Sequence, residues 1–182
     1  MTLQTQIATT IEAQPITAQA FAPFGELVEP GLTLATMIND GLCARYSGLA
    51  CLDAQDGHIG VSLFQADLRP VPHTLDLLER HPMGSQCFLP LGGSSYLVIV
   101  AHDEAGRPGT PQAFLAGPEQ PVNIARNVWH GVLTPISGSG LFAVLDRFGP
   151  GQNLEEHRLE DPVLITLPGK PGERQTGGPI NG

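Results

Sequence analysis

Glycine and proline interrupt this chain so often that no long regular element can run through most of it. There are 22 Gly and 17 Pro in 182 residues, scattered rather than grouped. Proline removes a backbone donor and glycine loosens the chain, so both punctuate regular structure. Between them lie short apolar runs. HIGVSLFQA (58–66) alternates as a strand does, and TLDLLERH (74–81) puts Leu75, Leu77, Glu79 and His81 on one side when extended. SQCFLPL (85–91), SYLVIVA (95–101), PVNIARNVWHGVL (121–133) and LFAVLDRF (141–148) complete the set. Turn-rich links such as PMG, LGGS, DEAGRPGTPQ and TPISGSG separate them. Many short strands with turns about every 8–12 residues predict a mainly β sandwich or barrel. One short helix is expected, with Thr17 capping AQAFAPFG and Pro23 and Gly25 ending it.

The length suits a single domain with a real core, and no internal repeat or linker divides it. The composition shifts after about Phe148. GPGQNLEEHRLEDP is polar and acidic, and LPGKPGERQTGGPING holds few large apolar groups. Residues 1–150 are therefore expected to form the folded domain. Residues 151–182 read as a polar, flexible C-terminal tail in which His157 is solvated.

Eighteen acidic against nine basic side chains leave a net charge of −9, with no Lys/Arg cluster. That argues against nucleic acid or an anionic membrane as partner and favours a small molecule. An acidic ligand would need local arginines. Cys43, Cys51 and Cys87 are odd in number and lack CxxC spacing, which suits reduced thiols. No apolar run approaches the ~20 residues of a membrane span. MTLQTQIATTIEAQP lacks the basic and apolar regions of a signal peptide, so a cytoplasmic protein is expected.

Two segments could carry chemistry. LERHPMGSQCFLPLGG (78–93) holds Glu79, Arg80, His81 and Gln86, with His81 and Gln86 placed to converge across a hairpin. RNVWHGVL (126–133) holds Arg126, Asn127, Trp129 and His130 between apolar flanks, a pocket-like composition. Each also has a plain reading, a solvated turn for the first and a bonded histidine beside a packed tryptophan for the second. His58 and His102 abut turns and are expected in solvent, while His73 leads into the first segment. Asp146 and Arg147 read as an ion pair at a strand end, and Cys87 as part of the barrel wall. There is no GxSxG, and no cysteine is placed against a histidine.

The layout resembles the cupin superfamily. Glu79 and His81 stand at its His-x-His pair, Gln86 at its Glu, Gly93 at its closing Gly and His130 at its second-motif His. Within that fold, AFAPFGELVEP (20–30), INDGLCARYSGLA (38–50), LERHPMGSQCFLPL (78–91), ARNVWHGVL (125–133) and VLDR (144–147) resemble ureidoglycolate lyase. The likeness runs from about residue 16 to 148. It implies a cupin-like β-barrel, a homodimer, and cleavage of (S)-ureidoglycolate into glyoxylate and urea during allantoin degradation.

That elimination needs a base for the hydroxyl proton, an acid for the leaving nitrogen, a cation for the carboxylate and partners for the ureido group. His130 or His81 suits the base, with His130 preferred, and Glu79 the acid or a group orienting a histidine. Arg126 or Arg45 suits the carboxylate, Gln86 and Asn127 the ureido group, and Trp129 a pocket wall with Tyr46 within reach. No cofactor is required. A divalent metal held by Glu79, His81, Gln86 and His130 stays open, as do a metal-dependent cupin of another class and a non-catalytic ureide-binding module.

Overall fold

The computed structural model describes residues 9–169. Strands β1 (Thr9–Glu12) and β2 (Gln14–Pro15) precede the helix α1 (Ala18–Phe21), and β3 (Gly25–Leu27) follows it. An exposed ribbon comes next, β4 (Thr36–Ile38) paired with β5 (Cys43–Arg45). Then come β6 (His58–Gln65), β7 (His73–Arg80), β8 (Gln86–Pro90) and β9 (Tyr96–Ala101). A small ribbon, β10 (Asp103–Glu104) and β11 (Arg107–Pro108), leads to β12 (Gln112–Ala116) and β13 (Val122–Ile124). The last four are β14 (Trp129–His130), β15 (Thr134–Pro135), β16 (Leu141–Phe148) and β17 (Glu155–Thr166).

These strands form an eight-stranded sheet in the order β1-β17-β7-β14-β9-β12-β2, with β15 also on β9. A five-stranded sheet runs β3-β13-β8-β16-β6. The two face each other as a cupin-like barrel. Tyr96, Val98, Val100 and Phe114 from one sheet meet Phe88, Val122, Phe142 and Val144 from the other, with Phe21 and Phe24 closing an end. Burying each large side chain contributes about 1.5–3 kcal/mol. Tyr96 keeps its hydroxyl satisfied by donating to the Gln120 carbonyl at 2.7 Å. A second apolar cluster lies on the other face of β9, where Leu97, Ile99 and Ala101 pack with Trp129, Val163 and Ile165. Both faces of β9 are thus buried, which is why SYLVIVA reads as an unbroken apolar run.

The helix starts as its cap requires, the Thr17 hydroxyl accepting the Ala20 N–H at 3.2 Å. The turn before β16 needs Gly140, whose φ is +70° and whose added Cβ would lie 2.0 Å from the Ala66 carbonyl oxygen. Gly140→Ala is therefore expected to cost more than about 1 kcal/mol, read as a lower urea midpoint at unchanged slope.

Two expectations are corrected. The chain does not loosen at residue 151: β17 pairs antiparallel with β7 and parallel with β1, and Val163 and Ile165 are buried. Its first half alternates half-buried and exposed positions, so its water-facing side gives it a tail-like composition. His157 is half-buried, its ring edge-on to Trp129 at 6.0 Å. The rest of the expected tail, 170–182, lies outside the described residues. The second correction concerns 121–133, which is two strands in different sheets. The chain crosses between them at Arg126–Asn127, with Asn127 left-handed at φ 68°. No helix among the described residues is long and apolar enough to cross a membrane.

Candidate active site

Three strands that neighbour one another in the larger sheet build the site. His130 on β14 stands opposite Glu79 on β7 and opposite Val100 on β9. Strand alternation sends Glu79 inward and Arg80 outward, and His81 follows Glu79 two residues on. The Glu79 Oε1 atom lies 4.0 Å from His81 Nε2 and 4.0 Å from His130 Nδ1. The two imidazole rings are 5.2 Å apart. His130 is 1% exposed, whereas the side chains of His81 and Glu79 keep 16% and 19%.

Each ring is fixed by a carbonyl, which can only accept. His81 Nδ1–H donates to the Asn153 carbonyl at 2.7 Å, and His130 Nδ1–H to the Gly131 carbonyl at 3.1 Å. In the neutral ring each Nε2 then carries the lone pair, and both Nε2 atoms are buried without a partner among the described residues. Complete burial, then the neighbouring His81, push His130 down to about 3, so its ring stays neutral at cellular pH. Burial acts oppositely on Glu79, raising its carboxyl above the usual range; Glu156 adds to this and His81 opposes it.

Glu79, His81 and His130 offer ligand atoms within 4.8 Å of one another. Two imidazole nitrogens without donors and one carboxylate fit a divalent transition metal. Gln86, 5% exposed on the inward face of β8, adds a buried and unpartnered amide oxygen.

The other expected residues lie elsewhere. Trp129 occupies the opposite face from His130, under the Arg80 guanidinium at 4.5 Å, where it lines a surface pocket with Asn153 and His157, and its indole donates to Asp103 at 2.9 Å. Adjacent strand residues cannot share a face, and His130 takes the interior. Arg126 sits at the barrel rim, bonded to Asp53 at 2.9 Å and to the Pro82 carbonyl at 3.3 Å. Asn127 is exposed, and its backbone N–H holds the His81 carbonyl at 3.0 Å. Arg45 ends the exposed ribbon with Tyr46 beside it, and neither bonds to the histidine cluster among the described residues.

Sequence reading missed two residues. Asn153 orients His81 through its carbonyl, and its side chain accepts the Met83 N–H at 2.8 Å. It lies in the segment taken for tail, so no local signal marked it. Asp146 makes no ion pair with Arg147, which points away and donates to the carbonyls of Gln55, Asp56 and Pro150. Its signal was present: Asp146 shares a face with Phe142 and Val144, and a carboxyl on an apolar face needs a reason.

A family model described as ureidoglycolate lyase matches residues 8–166. The ureidoglycolate lyase of Rhodobacter capsulatus is 54% identical over 153 residues, covering 84% of this chain and 95% of that protein. Ureidoglycolate lyase 2 of Rhizobium meliloti is 48% identical, with 84% and 94% covered. The Chelativorans sp. ureidoglycolate lyase is 46% identical, with 87% and 97% covered. The match spans both sheets, ends with the last residue of β17 and takes in every residue of the interior cluster, so the chain belongs to the ureidoglycolate lyase family.

Proposed function

We propose that this chain splits (S)-ureidoglycolate into glyoxylate and urea, a step of allantoin degradation. The observation that carries this reading is the interior pair of imidazoles, each with an Nε2 lacking a partner among the described residues and each ring 4.0 Å from a carboxyl that burial raises. His81 Nε2 takes the hydroxyl proton as the carbonyl of glyoxylate forms. Glu79, whose carboxyl burial raises toward the protonated form, serves as the acid that gives a proton to the ureido nitrogen as the carbon–nitrogen bond breaks, and urea leaves. His81 is the better base of the two because its part-exposed ring tolerates the charge that burial denies His130. His130 stays neutral and accepts a hydrogen bond. Arg126 releases Asp53 to meet the substrate carboxylate; at such exposure that pair is worth only about 0.2–1 kcal/mol. Gln86 takes the ureido group. In place of those proton transfers, a divalent ion held by Glu79, His81 and His130 would occupy their free atoms and would supply Lewis-acid stabilisation of the substrate oxygens.

The protein is proposed to act as a cytoplasmic homodimer. Val61 and Leu63, on one face of the edge strand β6, are 69% and 67% exposed, a face that a second copy would cover. Sedimentation velocity is expected to give twice the chain mass.

Racemic ureidoglycolate, with glyoxylate, urea and ammonia followed separately against spontaneous decay, tests the reaction. Urea and glyoxylate from half the substrate, without ammonia, are expected. Ammonia in place of urea would refute the elimination. A parallel arm with EDTA reads metal dependence, and complete loss of turnover there would favour the ion-assisted form of the same site.

A further inference from the structure

We infer that Asp146 and Gln86 together form a subsite that reads the N–H groups of a ureido substrate, with Asp146 in direct contact with it. The inference deepens the lyase reading and rests on it for the identity of the substrate. Asp146 is the third inward position of β16 after Phe142 and Val144, both fully buried. Among the described residues no ion pair accounts for a carboxyl there, since Arg147 faces the other way and is spent on three backbone carbonyls. In the register of the smaller sheet Asp146 stands directly opposite Gln86.

Burial raises the Asp146 carboxyl, and from that opposite position the Gln86 amide lies close enough to pull it down. Because a carboxylate accepts, Gln86 must present its nitrogen to it, which turns the amide oxygen away. That oxygen, Gln86 Oε1, and Asp146 Oδ1 are both buried and have no donor among the described residues. Native folds seldom leave two such acceptors together, because each unsatisfied one is costly. Donors arriving with a ligand would satisfy both. A ureido group brings three N–H bonds in one plane, whereas a carboxylate or aldehyde brings none. Burial raises the Asp146 carboxyl above its ordinary range, and Gln86 and then His81 oppose that rise, which places Asp146 close to the histidine cluster. The interior thus divides by sheet. The two histidines of the larger sheet face the reacting carbon and hydroxyl, and the acceptor pair of the smaller sheet faces the leaving urea.

Binding of unreactive probes tests this without turnover. Ureidoacetate keeps the ureido group and lacks the hydroxyl, N-acetylglycine replaces the terminal NH₂ by methyl, and glyoxylate lacks nitrogen altogether. By titration calorimetry the wild-type protein is expected to prefer ureidoacetate over N-acetylglycine by about 10-fold or more. Asp146→Ala is expected to erase that preference while leaving glyoxylate affinity unchanged. Asp146→Asn, of equal size, serves if the alanine chain does not fold, and is expected to weaken the preference. A preference that persists in the variant, or is missing from the wild type, overturns the subsite. Preference for ureidoacetate without urea release from ureidoglycolate would instead retire the lyase reaction and keep the subsite.

Discussion

His81→Ala is expected to lower kcat for ureidoglycolate by about 10²–10⁴-fold, the range a positioned general base contributes. KM should change little, because the ring's part is played in the transition state. The fold should survive. His81 lies at the end of β7, keeps 16% exposure and gives up one hydrogen bond to Asn153, a loss of about 1 kcal/mol. His130→Gln provides the contrast, since a fully buried ring that stays neutral is a poor proton carrier and its replacement should cost less. Bound divalent metal should be measured in both variants. Equal losses of activity accompanied by loss of metal from each would assign the two rings to ligation instead. Activity of His81→Ala close to wild type would sink the assignment of the base.

Ending the chain at residue 150 is expected to abolish folding. That truncation strips β7 of one of its two antiparallel neighbours and β1 of its parallel one. It also uncovers the side of the second cluster that Val163 and Ile165 cover, and removes the carbonyl that orients His81. A chain ending at residue 169 keeps β17 and should melt cooperatively. Ile165→Ala, at a fully buried position, is expected to cost about 2–5 kcal/mol, a large share of the 5–15 kcal/mol typical of a domain. Thermal melts by circular dichroism check all three. A cooperative melt of the 1–150 protein at the wild-type temperature would show β17 to be dispensable.

The strand periodicity and turn chemistry of residues 58–101 and 141–148 made the β class legible, and β6, β7, β8, β9 and β16 lie where those runs predict. Composition misled at β17, because one side of its first half meets water and looks like tail. Within the site, alternation along TLDLLERH was enough to put Glu79 and His81 on one side. The same rule applied to Trp129 and His130 would have sent the tryptophan outward, and applied to LFAVLDRF would have marked Asp146.

The sequence by itself determined the strand runs, the Thr17 cap, the family likeness and the parity that turns Glu79 and His81 to one side. Those depend on neighbours within a few residues, where backbone geometry leaves little choice. Only the tertiary structure decided that His130 stands opposite Glu79, that Gln86 meets Asp146, that Asn153 orients His81, and that Arg126 begins on Asp53. These pairings join residues 51 to 73 positions apart, and their energies belong to register and burial, which no local pattern encodes.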